Sequence, residues 1–347
     1  MDYNEIMRTI TSGLTGDSEH DLKYLSEQAE LYKTHELAQE ILRGIGRLIS
    51  DALPQEKRDE ISQVINNYNS SEDAVIEEAE FQISKKNFNK ALELLESQLK
   101  EFESDDGEFN QFPDDSVSEY YSFRNLFENI LYCELNKPQK KVRYMRRDFD
   151  RFYLVYGSLL FELKRFDESK KALETANRIN PMNTKVLFEL SEISKVRREW
   201  DRYLELSKYC LKIAYSRKDL SRCYRNIGFY YIEKQSYDLA IALYYLSLHY
   251  DDEPKMAQSE LFYIQQVTGK PTPAPSIEEI KSMFAKNDIQ LGPSDDVINL
   301  AVELGIHTEK DKQYGLARFF FSIAYELTNS DAVKKRIDSL PATNDAS

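Results

Sequence analysis

The sequence predicts an all-α protein built from repeated helix pairs, and three observations carry that expectation. Glycine and proline are scarce, 11 and 10 in 347 residues, while Leu, Glu, Lys and Ala are plentiful, which disfavours a turn-rich β architecture. Apolar residues recur at helical spacing in most segments. A pattern of small and aromatic residues returns with a period of 34 residues. The length also exceeds what one compact core usually serves, roughly 250–300 residues, so the chain is expected to divide or to extend.

The clearest unit is 150–183, DRFYLVYGSLLFELKRFDESKKALETANRINPMN, with Tyr153, Gly157, Phe166, Ser169, Ala176 and Pro181 at positions 4, 8, 17, 20, 27 and 32. It resembles the tetratricopeptide repeat; the resemblance covers about half of the chain well and suggests a bacterial-type member of that family. Small residues at positions 8, 20 and 27 let two antiparallel helices approach, while the aromatic at 17 plugs the turn between them. The next unit starts at Thr184, with Leu187, Leu190, Ser191, Trp200 and Cys210 in register but Tyr203 where a small residue is expected. After three extra residues the unit from Ser221 recovers the pattern, with Tyr224, Ile227, Gly228, Tyr231, Tyr237, Ala240, Tyr244 and Ser247. The resemblance implies a right-handed superhelical α-solenoid of such helix pairs.

Along the chain, residues 1–70 read as two to four helices capping the array. Pro54 suits the first turn of a helix through Tyr68. Leu37, Ile41, Ile45 and Leu48 form an apolar stripe beside Gly44 and Gly46, two candidate close-packing points. Residues 71–136 hold a degenerate pair over 72–105, marked by Ala79, Phe88 and Ala91, and then an extra helix from about Ser116 to Asn136. Residues 150–268 are the central array of three repeats, closed by a single helix from Met256 to Val267. The Pro-rich turn Gly269 to Pro275 follows, and Ser276 with Glu279 reads as a capping box that restarts the helix. Residues 276–340 contain a second degenerate pair over 298–331, with Leu304, Gly305, Tyr314, Ala317, Phe321 and Ala324 in register.

Several chemistries find no support. Three cysteines, Cys133, Cys210 and Cys223, form no C-x-x-C and no even disulfide framework, and they read as core thiols in a reducing compartment. His20, His35, His249 and His307 have no metal-site spacing. There is no P-loop, no G-x-S-x-G, and GIG at 44–46 lies within a helical pattern. No cofactor and no enzymatic activity is expected. The start, MDYNEIMRTITSGLTG, carries acids where a signal peptide carries basic residues, and no 18-residue apolar run occurs, so the expectation is a cytoplasmic protein without membrane contact.

Charge is unevenly spread. Residues 1–136 carry net −18, residues 137–225 net +11 and residues 226–347 net −7, within a total of −14. The acidic flanks argue against nucleic acid as the partner. In the resembled family the first helix of each pair lines a concave groove with positions 2, 5, 9, 12 and 13. Carried over, the cations and aromatics of that groove are Arg151, Phe161, Lys185, Phe188, Lys195, Arg222, Arg225 and Phe229. Fixed cations with apolar plates suit an acidic, partly hydrophobic protein segment, because charge steers the encounter and burial holds it. Arg225 and Asn226 echo the Lys and Asn clamp of chaperone-tail binders, but Glu192 and Phe229 stand where another Asn is wanted, so that specificity is not expected. The alternatives are an intracellular peptide-sensing regulator and an enzyme without a sequence signature. A partner within the chain is also in view: Glu101 to Glu119 holds eight acids, no Lys or Arg, and Phe102, Phe109 and Phe112. It could dock on residues 137–151 or enter the groove as a competitor.

Overall fold

The computed structural model describes residues 3–32, 35, 37–52, 74–104, 109, 114–145, 147–251 and 254–341. They run α1 (Tyr3–Ser12), α2 (Ser18–Tyr32), α3 (Ala38–Ala52), α4 (Ala74–Ser84), α5 (Phe88–Phe102), β1 (Ser118–Tyr121), α6 (Leu126–Asn136), β2 (Lys141–Tyr144), α7 (Phe149–Glu162) and α8 (Phe166–Ile179). Then come α9 (Thr184–Val196), α10 (Trp200–Ile213), α11 (Arg217–Glu233), α12 (Tyr237–Tyr250), α13 (Lys255–Thr268), α14 (Ile277–Lys286), α15 (Asp295–Lys310), α16 (Tyr314–Thr328) and α17 (Asp331–Ser339). Among the described residues the fold is all-α apart from two four-residue strands, which pair in a short ribbon. It falls into two compact units, Met1–Ser122 with Arg143–Ile179, and Phe123–Val142 with Asn180–Ser347. The helix expected from Pro54 through Tyr68 lies outside the described residues.

In the first unit, Ile6, Met7 and Ile10 of α1 bury against Leu25 of α2, Ile41, Ile45 and Leu48 of α3, and Phe81 of α4. The stripe read from sequence is therefore the core face of α3. Gly44 is one of its two expected contact points: a Cβ there would lie 2.7 Å from Met7 Cε, whereas at Gly46 it would meet open space. The pair α4 and α5 packs against α7, and α7 against α8.

The stretch expected to be one helix from Ser116 is instead a strand and a shorter helix. Tyr120 and Tyr121 extend in β1, where Arg143 Nε donates to Ser118 Oγ at 2.9 Å and the Met145 N–H donates to the Tyr121 carbonyl at 2.8 Å. Helix α6 begins later because Asn125 is its cap, accepting from the Glu128 N–H at 3.0 Å. In the second unit, Glu128 is fully buried and accepts from Arg124, from Asn180 Nδ2 at 2.9 Å and from the Tyr215 hydroxyl at 3.0 Å. A buried carboxylate survives only with such a full set of donors.

The repeat register is visible as geometry, five times over. In the units that start at 72, 150, 184, 221 and 298, position 15 is Lys86, Lys164, Arg198, Gln235 and Lys312, and each adopts a left-handed φ of 56–61°. In each, the next residue's N–H returns to the carbonyl at position 11, as from Asn87 to Gln82, Arg165 to Leu160, Glu199 to Ser194, Ser236 to Tyr231 and Gln313 to Thr308. That is the Schellman closure, which ends one helix and aims the chain into its antiparallel mate. Position 8 is equally regular. A Cβ on Gly157, Gly228 or Gly305 would lie 2.6, 3.0 or 2.5 Å from Leu173, Tyr244 or Phe321, which occupy position 24 each time. Ala79 and Ser191 fill the same position, fully buried, in the other two units. The weak pairs at 72 and 298 thus share the turn and the contact of the strong ones.

Candidate protein-interaction face

Helices α9 and α11 are the first members of two successive pairs in the second unit. Asn183 starts α9 by accepting from the Lys185 N–H, and Ser216 starts α11 by accepting from the Asp219 N–H at 3.1 Å. Their expected groove positions come together, with a different chemistry from a bare cationic strip. The Arg222 guanidinium lies 4.3 Å over the Phe188 ring and 3.8 Å from Glu189. Lys195 Nζ lies 4.1 Å over the Phe229 ring and 3.6 Å from Glu192. Phe229 also meets Trp200 and Tyr203, with ring centroids 6.1 and 6.0 Å away. Phe188 is almost wholly buried, Phe229 half-buried, and Lys185 and Val196 exposed.

Two kinds of cation occupy this face. Lys195 and Arg222 hold their carboxylates at long distance, with about a third of each side chain open to water, so the pairs are loose and contribute little to stability. Arg225 is different. It donates to Asp251 and to Ser221 Oγ, which itself donates to the Ser247 carbonyl. Burial pulls its pKa down, and the facing Asp251 carboxylate opposes that. Arg225 therefore fastens the middle of α11 to the residue that caps the end of α12.

The two residues expected at this groove from the first unit lie in that unit's own contacts. Arg151 Nη2 is 2.7 Å from Glu80 Oε2, and the Phe161 ring meets Phe166 edge-on at 5.3 Å. The acidic segment also shows its position through its described residues. Phe102 packs edge-on against Phe149 and Phe152 with Arg147 over its face, and Glu103 accepts from the Tyr153 hydroxyl at 2.8 Å. Phe109 packs on Phe149 and Tyr153, with Arg178 5.6 Å from its centroid. These contacts engage Arg147, Phe149, Phe152 and Tyr153 at the start of α7, and Arg178 of α8, and none of them is a groove position.

The sequence reading missed the carboxylates Glu189 and Asp251, which lie off the groove positions, and it gave the single helix it placed from Met256 to Val267, here α13, no repeat register. That helix begins at Lys255, 34 residues after Ser221, so Met256, Tyr263 and Val267 stand at positions 2, 9 and 13, all exposed. Its Glu260 is half-buried, and burial raises that carboxyl above the usual range while Lys195 opposes the shift. The three cysteines are free; Cys210 and Cys223 are buried, and burial raises the Cys223 thiol. Among the described residues no cluster of His, Cys, Asp or Glu could hold a metal ion, and no helix is long and apolar enough to cross a membrane.

The period, the position-15 turn and the position-8 contact decide the type of repeat. The helix pairs resemble tetratricopeptide repeats in period, turn and close contact. No family model and no curated protein matches the chain. Among solved structures it is similar to a chain in the crystal structure of the APC/C hetero-tetramer Cut9-Hcn1, at 14% identity and a TM-score of 0.32, over 92% of this chain and 61% of that one.

Proposed function

We propose that the protein is an interaction scaffold that binds an acidic, partly hydrophobic segment of a protein partner on the face of α9 and α11. The observation that supports this most is the pair of cation-covered rings, Arg222 on Phe188 and Lys195 on Phe229. A carboxylate-bearing ligand can replace Glu189 and Glu192 as the partner of these cations at small cost, because the internal pairs are loose and half-solvated. An apolar ligand side chain gains contact with Phe229 and Val196. Lys185, exposed at position 2 of the same helix, adds steering. Arg225 is assigned to the fold, since it is held closely by a carboxylate that is itself largely covered. A cytoplasmic setting goes with this reading, as do the three free thiols.

The molecule carries its own reporter, because its one tryptophan, Trp200, touches Phe229. A synthetic peptide alternating Glu with Phe should shift Trp200 emission on binding, and the affinity should fall as salt rises. Changing Lys195 and Arg222 together to Glu should weaken that binding at least tenfold and remove partners captured from the source cell. Unchanged capture by the double variant would overturn the reading.

A further inference from the structure

Helix α13 is the first half of a repeat whose second half never follows. It stands in register at Lys255, and it buries Ala257, Leu261 and Ile264 at positions 3, 7 and 10 in a cluster with Ala240 and Tyr244 of α12. Gly269 then closes it with a φ of 66°, and Lys270 to Pro275 leave in an extended path pinned by the Tyr245 hydroxyl donating to the Thr272 carbonyl. Position 17, aromatic in the five complete pairs as Phe88, Phe166, Trp200, Tyr237 and Tyr314, is here Pro271. Helix α14 turns back onto α12 instead.

The consequence falls on position 8. Where Gly157, Gly228 and Gly305 are covered by a second helix, α13 has Phe262, 62% exposed. Opposite the buried stripe, an arc of about 120° runs through Met256, Tyr263, Ser259, Gln266 and Phe262, with Met256 66% exposed. Lys255, exposed at the N-terminal end, falls within the same arc, which carries no other charge.

We propose that this arc pairs antiparallel with the α13 arc of a second copy of the chain. Charge selects that occupant. A two-fold contact sets each residue against its own kind near the axis, where charge would repel itself, and the arc is uncharged there, its one charge, Lys255, standing at the helix end. The chain's net charge of −14 disfavours self-contact through its more acidic surfaces. An antiparallel pair also brings Lys255 of each copy beside the other's helix C-terminus, where a cation is favoured. The contact is small: a 14-residue helix is about 21 Å long, and two such faces bury less than roughly 1,200 Å², the range of weak and transient association. The dissociation constant is then on the order of tens of micromolar.

Sedimentation equilibrium from about 1 to 300 µM tests it, and the expected result is a concentration-dependent monomer–dimer equilibrium. Phe262→Glu should abolish the dimer while leaving thermal unfolding and Glu/Phe peptide binding intact, which separates this contact from the ligand face. In a Cys133→Ser background, Phe262→Cys should form a disulfide-linked dimer under mild oxidation by copper–phenanthroline. Glu278→Cys, also exposed but off the arc, should cross-link far more slowly. A wild-type chain that stays monomeric throughout, or equal cross-linking of the two cysteines, would overturn the proposal.

Discussion

The pair α11–α12 and the lone helix α13 start 34 residues apart, yet position 8 is covered by a second helix in one and open in the other. In the closed pair, Gly228 lets Tyr244 lie across α11, and Asp251 locks Arg225 and Ser221. In α13 the equivalent of Gly228 is Phe262, in water. The comparison separates two things that a repeat alignment merges. Register is set by the first helix alone, whereas the demand for a small residue at position 8 comes only from the second helix.

The sharpest way to break that comparison is to place the same residue at position 8 of both. Gly228→Leu forces a side chain against a ring whose atoms already lie 3.0 and 3.1 Å from the Cβ position. Tyr244 is fully buried and has nowhere to withdraw, so the substitution should cost about 3 kcal/mol. Phe262→Leu should change stability by no more than about 0.5 kcal/mol, since nothing covers the site. Urea unfolding of the two variants measures both, and equal costs would show that α13 is covered after all.

The next largest effect removes the lock. Asp251→Ala leaves the Arg225 guanidinium partly buried without its carboxylate, at a cost of about 2 kcal/mol. Glu189→Ala, beside the looser Arg222, should cost less than about 1 kcal/mol. If the two losses match by thermal unfolding, the division of the cations into fold-holding and ligand-facing groups fails.

Much of this contrast was legible in the chain, and the limits have physical causes. The period, Gly157, Gly228 and Gly305, and the capping box at Ser276 and Glu279 could be read because each rests on local spacing. Pro271 at the aromatic position and Phe262 at the small one also lay in plain sight, and they already mark α13 as a half repeat. The carboxylates that meet the cations were not legible. Glu80 reaches Arg151 across 71 residues and Asp251 reaches Arg225 across 26, and no local pattern encodes such pairs. The strand at Ser118–Tyr121 was missed because its aromatic run fits a helical stripe as well as a pleat, and Asn125 alone marks where the helix begins. The depth of Phe188 was not legible either, because it depends on Arg222 from the next helix lying over the ring.

The smallest effect probes what the closed pair and the half repeat share. Position 15 is left-handed in both, but it is Gln235 after α11 and Gly269 after α13. A Cβ at Gly269 would meet nothing within 4 Å, so Gly269→Gln isolates the backbone term and should cost about 1 kcal/mol. The reverse change is not its mirror image. Gln235→Gly relieves a similar strain, but the glycine also loses more freedom on folding, by about 0.5–1 kcal/mol. The net gain should therefore be no more than about 0.5 kcal/mol, and Gln235 is the right site because it is exposed and, unlike Lys86, Lys164, Arg198 and Lys312, carries no charge to interact with the helix end. A denaturant midpoint that falls for Gln235→Gly would mean that the turn is held by side-chain contacts. In that case the likeness between the two turns would stop at their dihedral angles.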